Sequence, residues 1–187
     1  FIPATSAEVN DLDVNNPNGT TITNSSTGNA VDLDNGGSFT VINNGTISSS
    51  ATNNAYGVNA DSSTTITTLS NTKTITATAS ADVGYGIILG NSTLNNLTNS
   101  GTISGTAGDD LGRGISLADG GTTTNLTNSG TISGTANNDG GYGVAVSTST
   151  LTNLTNSGTI SGTTGDDSGY GVFVSSNATL TNLVNSG

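Results

Sequence analysis

Aspartate residues that recur at a constant interval are the residues in this chain best suited to chemistry. One series, spaced by 28, 29 and 28 residues, contains Asp82, Asp110, Asp139 and Asp167. A second series lies beside it and contains Asp109, Asn138 and Asp166. If the repeating units stack, each series becomes a column of oxygen ligands of the kind that Ca²⁺ prefers. Paired carboxylates can also hydrolyse polysaccharides by acid–base catalysis.

A solvated acidic loop explains the same two columns without any ligand. Stacked strands lie ~4.8 Å apart, and unit charges at that distance repel by about 1 kcal/mol in water. Exposed repulsion of this size is tolerable. We therefore favour the solvated loop and expect calcium to stabilise the chain weakly or not at all, so no cofactor is required.

Catalysis has little further support in the sequence. Arg113 follows Asp110 by three residues, but the chain contains no His and only two basic residues in total. Because the aspartates recur once in each repeat unit, they indicate a structural feature of the repeat rather than a single catalytic cleft. We expect the chain not to be an enzyme and assign no catalytic residue.

Three tyrosines form another periodic set of candidate binding residues. Tyr85, Tyr142 and Tyr170 occupy one position of successive units, and Arg113 takes that position in the intervening unit. The Arg at a Tyr position indicates an accessible corner, where aromatic rings can stack on sugars. The alternative is that these side chains simply cover the adjacent corner.

The composition excludes several classes of protein. The formal net charge is -11, with Lys+Arg 2 and Asp+Glu 13, so the chain cannot neutralise a run of phosphates and we expect no nucleic-acid partner. Cys is absent, which excludes disulfides, thiolate metal sites and thiol catalysis. The longest apolar run is 86–89, far shorter than the ~20 residues of a membrane span. We therefore expect no membrane insertion by this segment.

Two markers hold one repeat period along the chain. The first lies at residues 45, 73, 101, 130, 158 and 187, and the second at 57, 86, 114, 143 and 171, so both recur every 28 or 29 residues. Periods of 20–50 residues are typical of solenoids, propellers and repeat arrays. A propeller blade needs more residues per unit, and the nine-residue calcium-binding repeat is missing.

Residue alternation within each unit predicts three short strands. Leu97, Asn99 and Ile103 share one face of a strand and recur at 126–132 and 154–160. We predict an all-β fold, a right-handed parallel β-helix (β-solenoid) with about 28–29 residues and three short strands per rung. About six rungs occupy 14–187, and 1–13 is an irregular amino-terminal segment or cap.

The inward Asn of each unit predicts a structural ladder in which each side-chain amide bonds to the amides above and below. Asn at a corner also tolerates left-handed backbone. The members of this ladder are Asn43, Asn71, Asn99, Asn128, Asn156 and Asn185.

The repeat motif resembles that of the passenger regions of bacterial autotransporters and related surface adhesins, which carry tandem L-x-N-x-G-x-I units. The copies run over 97–103, 126–132 and 154–160, with weaker ones from Val41 and Leu69, and cover roughly 37–187. The resemblance implies an extended, secreted stalk or adhesive fibre on a bacterial cell surface.

We therefore expect a non-catalytic, extracellular fibre segment. Two forms stay open: a passenger that presents loops to a glycan or protein on a host or neighbouring cell, and a filament whose subunits stack head to tail through uncapped β-helix ends. A polysaccharide-cleaving β-helix is the third alternative.

Overall fold

A computed structural model describes residues 5–6, 9–25, 28–166, 168–175 and 177–187 of the chain. In these ranges the chain forms parallel β-strands connected by short turns, and no helix is present. Since no helix is present there, none is long and apolar enough to cross a membrane in those ranges. The strands form three seven-stranded parallel sheets, so each turn of the coil contributes one strand to each sheet.

Sheet A contains one strand from each coil, and from β4 onward each of these strands begins with Thr-Ile. Its strands are β1 (Thr5–Ser6), β4 (Thr21–Asn24), β7 (Thr46–Ala51), β10 (Thr74–Ala79), β13 (Thr102–Ala107), β16 (Thr131–Ala136) and β19 (Thr159–Thr164). Alternate residues point inward, since Ile103 is buried whereas its neighbours Thr102 and Ser104 are only half-buried.

Sheet B follows sheet A in every coil. Its strands are β2 (Val9–Asn10), β5 (Asn29–Leu33), β8 (Ala55–Ala60), β11 (Gly84–Gly90), β14 (Gly112–Ala118), β17 (Gly141–Val146) and β20 (Tyr170–Val174). Gly114 lies where a Cβ would come within 2.7 Å of the Gly143 carbonyl oxygen in the next coil, so only Gly fits this close approach.

Sheet C completes each coil. Its strands are β3 (Val14–Asn16), β6 (Ser38–Asn43), β9 (Thr65–Asn71), β12 (Thr93–Asn99), β15 (Thr122–Asn128), β18 (Thr150–Asn156) and β21 (Thr179–Asn185). β1 and β2 fall within 1–13, so sheets A and B reach into the segment that the sequence assigns to no repeat unit.

The core is a column of aliphatic side chains that lie directly above one another. Leu69, Leu97, Leu126 and Leu154 are paired in register through sheet C and are buried. The predicted parallel β-helix with three strands per coil is confirmed, whereas the right-handed sense of winding stays a prediction.

Three corners with different chemistry separate the sheets. The corner from C to A is two residues long in most coils, as at 100–101. The corner from B to C contains left-handed backbone, with φ of 44° at Asn91, 53° at Asp119 and 51° at Thr148. The corner from A to B, as at 108–111, varies in sequence from coil to coil and carries the candidate acidic residues.

Candidate functional site

The buried Asn residues form one hydrogen-bonded column along the corner from C to A. Each side-chain Nδ2 donates to the Oδ1 of the Asn in the next coil, at 2.7 Å for Asn99 to Asn128 and 2.7 Å for Asn128 to Asn156. The remaining steps from Asn43 to Asn185 measure 2.7–2.8 Å. All six residues named from the sequence therefore lie in this column, which we call the Asn ladder.

The second amide hydrogen of each ladder residue anchors the neighbouring coil. Asn99 donates to the Thr131 carbonyl oxygen at 3.1 Å, and Asn128 donates to the Thr159 carbonyl oxygen at 3.1 Å. Each buried amide thus has partners for both of its donors and its acceptor, as a buried polar group requires.

The geometry of this corner differs from the expectation in one respect. No ladder Asn has a positive φ; the left-handed residues other than glycine lie at the corner from B to C instead. Space is the limiting factor at the ladder corner, because a Cβ on Gly130 would approach the Gly101 carbonyl oxygen to 2.1 Å. Asn side chains are therefore needed here for their amides rather than for backbone freedom.

The first member of the Asn ladder, Asn16, was missed by sequence reasoning. Its Nδ2 donates to Asn43 Oδ1 at 2.7 Å, and its own Oδ1 accepts a hydrogen bond from the Thr20 hydroxyl. Val14-x-Asn16 matches Val41-x-Asn43, so the signal was present, but the corner that follows Asn16 has four residues instead of two.

A second Asn column lies on the outer surface of sheet C and was also missed. Asn125 donates to Asn96 at 2.9 Å, Asn153 to Asn125 at 2.9 Å, and Asn182 to Asn153 at 2.8 Å. These bonds run in the opposite direction from those of the Asn ladder. Their members are half-buried or exposed, so water can replace a missing partner.

The candidate tyrosines belong to a continuous stack on the outer face of sheet B. Tyr56 and Tyr85 have ring centroids 5.6 Å apart, and those of Tyr142 and Tyr170 are 5.9 Å apart. Arg113 lies between the two pairs, with its Cζ 5.1 Å from the Tyr85 ring centroid and 5.4 Å from that of Tyr142. The cation thus continues the stack where a ring is missing.

This stack changes what the tyrosines can bind. The ring faces point along the fibre axis and are covered by the side chains of neighbouring coils, and Tyr85 is only 7% exposed. Tyr170 is 44% exposed, whereas Tyr142 is half-buried. The proposed glycan contact stays a prediction, and in the interior coils only ring edges are available for it.

The acidic residues line the corner from A to B, beside the Tyr–Arg stack. Asp110 is half-buried, while Asp82, Asp109, Asp139 and Asp166 are exposed, and Asp167 lies outside the described residues. Asn138 Nδ2 donates to Asp109 Oδ1 at 3.1 Å. In the second column, therefore, an amide donor rather than another carboxylate lies next to Asp109. No group of three or more acidic, His or Cys side chains is placed to hold a metal ion in the described ranges.

The corner raises the pKa of the Asp110 carboxyl. Partial burial raises its pKa, the Asp139 carboxylate and a hydrogen bond shared with it raise the pKa further, and Asp82 adds to this. The Arg113 guanidinium, which lies between the Tyr85 and Tyr142 rings, opposes this rise in the pKa only in part. The Arg113 Nε is buried and has no hydrogen-bond partner among the described residues.

Together, the three sheets and the Asn ladder define the chain as a parallel β-solenoid repeat protein. Comparisons of the chain with protein-family models, curated proteins and solved structures give no match.

Replacing one ladder residue tests its contribution against a matched partner on the same strand. Asn128→Ala is expected to lower the free energy of unfolding by about 2–4 kcal/mol, because it removes the bond from Asn99 and takes away the donor that Asn128 supplies to the buried Asn156 Oδ1. Asn125→Ala removes two hydrogen bonds from the outer column of β15 and is expected to change it by less than about 1 kcal/mol. Urea denaturation followed by circular dichroism measures both, and equal losses would contradict the role of the Asn ladder.

The acidic corner predicts a pH dependence of stability. A carboxyl with a raised folded-state pKa binds its proton more tightly when folded, so stability falls as the pH rises from the ordinary value of 3.8 through the raised one. Asp110→Asn is therefore expected to stabilise the chain at about pH 7 by less than about 1 kcal/mol, with little effect at about pH 4.

The control for this measurement is Asp34→Asn, which removes one exposed negative charge from a different corner. Thermal melts of both variants at the two pH values give the comparison. An equal stabilisation by both substitutions would show that net charge, rather than the Asp82–Asp110–Asp139 column, controls the effect.

Proposed function

We propose that the chain is a non-catalytic segment of an extracellular bacterial fibre, such as an adhesin passenger, a stalk or a subunit of a surface filament. The observation that carries this proposal is the continuity of hydrogen bonding along the axis. Three parallel sheets and an Asn ladder from Asn16 to Asn185 run through the described coils, with a register shift between Phe39 and Thr40 where β6 pairs with β9.

The mechanical argument follows from the direction of these bonds. In a solenoid, each coil contacts only its neighbours, so stability accumulates coil by coil. A pull along the axis loads many backbone and amide hydrogen bonds at once. The seven strands of each sheet span about 29 Å, and further coils of the same period would lengthen the rod without a new fold.

The resemblance to autotransporter and adhesin passengers supports a location on a bacterial cell surface. It rests on the repeated L-x-N-x-G-x-I motif alone. In such a passenger, contact with a glycan or protein of another cell would fall on the corner from A to B, where 108–111, 137–140 and 165–169 differ in sequence. The net charge of -11 disfavours nucleic acids and anionic membranes as partners.

A self-assembling filament is the second candidate. The last coil presents unpaired edges of β19, β20 and β21, with Leu183 53% and Val184 59% exposed. Open sheet edges can pair with another coil. In a longer chain the next coil would cover the same edges, so the two candidates differ in what lies against this face.

Electron microscopy of the purified chain distinguishes the two candidates. A passenger segment is expected to give separate short rods at every protein concentration, whereas stacking subunits give long fibres of uniform width. Leu183→Lys places a charge on the end face and should abolish such fibres. Thr155→Lys adds the same charge to the outer surface of β18 and should leave them intact. Amorphous aggregates, with neither single-chain particles nor fibres of uniform width, would contradict both candidates.

The absence of catalysis is tested separately with acidic polysaccharides. Incubation with polygalacturonate or alginate, with and without calcium, is expected to leave the polymer length unchanged. The acidic corner repeats in similar form in several coils, and the only Arg in the sequence is held between two tyrosines, so within the described residues this corner does not gather an acid, a base and a free cation in one cleft. Depolymerisation that is lost in Asp110→Ala would overturn the non-catalytic assignment.

A further inference from the structure

The outer face of sheet A carries a regular, two-dimensional array of hydroxyl groups. In each of five successive strands the first, third and fifth residues point outward and are Thr or Ser. The strands pair in register, so Thr74, Thr102 and Thr131 form one column, and parallel columns contain Thr76 with Ser104 and Thr78 with Thr106. We call this surface the hydroxyl face.

A comparison of corresponding positions in successive coils indicates that the outward positions of sheet A require a hydroxyl group. The buried fourth residue of these strands changes from Ser49 to Ala77 to Gly105. The outward residues of the same strands exchange only Ser and Thr. Sheet C shows no such restriction, since Ile42 stands opposite Ser70 on its outer surface.

The hydroxyls are also free to bind something outside the protein. Within the described part of the chain, the only side-chain hydrogen bond among these residues joins Ser104 to Thr76 at 3.0 Å. Each hydroxyl can donate and accept. Because Thr is stiff at χ1, its hydroxyl keeps its position in the array at a small entropic cost on binding.

The periods of the array narrow the identity of the ligand. Hydroxyls repeat every ~4.8 Å along the axis and every ~6.7 Å along a strand, two residues apart. Each period differs by less than an ångström from one of the two oxygen repeats on a prism face of hexagonal ice. Water molecules in that lattice need partners that both donate and accept, and a face without charges does not impose a competing hydration shell.

A crystalline polysaccharide is the other periodic solid that such a face could meet. Sugar rings in protein sites stack on aromatic faces. On this molecule the stacked tyrosines lie on sheet B, whereas the fifteen hydroxyl-face positions are all Ser or Thr. The chemistry of the hydroxyl face therefore favours water in an ordered lattice.

We propose that the hydroxyl face of sheet A binds the surface of ice. This activity is additional to the fibre role and does not depend on it. The binding unit is the set of outward Thr and Ser residues of β7, β10, β13, β16 and β19, and the ligand is solid water.

Partition of the chain into slowly growing ice tests the proposal. The purified 187-residue chain is expected to be enriched in the ice fraction relative to a non-binding protein in the same solution. The double variant Ser104→Tyr, Ser133→Tyr places bulk at the centre of the face and should lower the enrichment by about tenfold or more. The matched double variant Thr98→Tyr, Thr127→Tyr alters the outer surface of sheet C and should behave as the wild type.

Melting temperature and circular dichroism verify that each variant is folded. If the Tyr variant fails to fold, Thr102→Val with Thr131→Val removes two hydroxyls while keeping the shape and β-propensity, and a reduced enrichment is again expected. The proposal fails if the folded wild type is excluded from ice, or if the sheet A and sheet C variants lose enrichment equally. Binding to microcrystalline cellulose or chitin instead of ice, lost only in the sheet A variant, would replace ice with a polysaccharide surface.

Discussion

The structure depends on the requirement that a buried carboxamide must have hydrogen-bond partners on both sides. An Asn side chain in the interior has two donors and an acceptor, and leaving them unpaired is expensive. Asn99 meets this requirement by donating to Asn128 Oδ1 and the Thr131 carbonyl oxygen and by accepting from Asn71. A coil that slipped by one residue would point its Asn outward and bury its Thr. The Asn ladder therefore fixes the register, and the aliphatic columns, the Tyr–Arg stack and the hydroxyl face follow from that register.

The positions of residues that recur at the repeat period could be predicted from the sequence. The positions of residues that depend on the length of a corner or on side-chain stacking could not. Leu97, Asn99 and Ile103 recur so regularly that their inward position and the parallel coil follow directly. Asn16 was not recognised as a ladder residue because the corner that follows it is longer and interrupts the repeat period. Because Arg113 occupies a Tyr position, the sequence indicated that the side chains at this position are exposed. At a coil spacing of ~4.8 Å, however, a planar guanidinium can take the place of a ring within a stack.

The three corners differ in how much sequence freedom they retain. The corner from C to A must place an Asn and a close-packed backbone, as the approach at Gly130 shows. The corner from B to C must place left-handed backbone, as at Asp119. The corner from A to B also has close backbone contacts, since a Cβ on Gly108 would approach the Ser80 carbonyl oxygen to 1.9 Å, but its other positions change in number and charge from coil to coil. Paired acidic residues recur at that corner, and at the half-buried Asp110 partial burial, followed by the neighbouring carboxylates of Asp139 and Asp82, raises the pKa.

A periodic rod has two kinds of surface, and each suits a different kind of partner. A partner that binds one corner can be any molecule of suitable shape, because the loops at 108–111 and 137–140 are not identical. A partner that binds the flat face of a sheet across several coils meets the same groups at every step and must itself repeat at that distance. The same scaffold therefore carries two surfaces with different requirements. The uniform Thr and Ser of sheet A suit a partner that repeats at the coil spacing, whereas the variable acidic corner suits a single molecule that matches one particular loop.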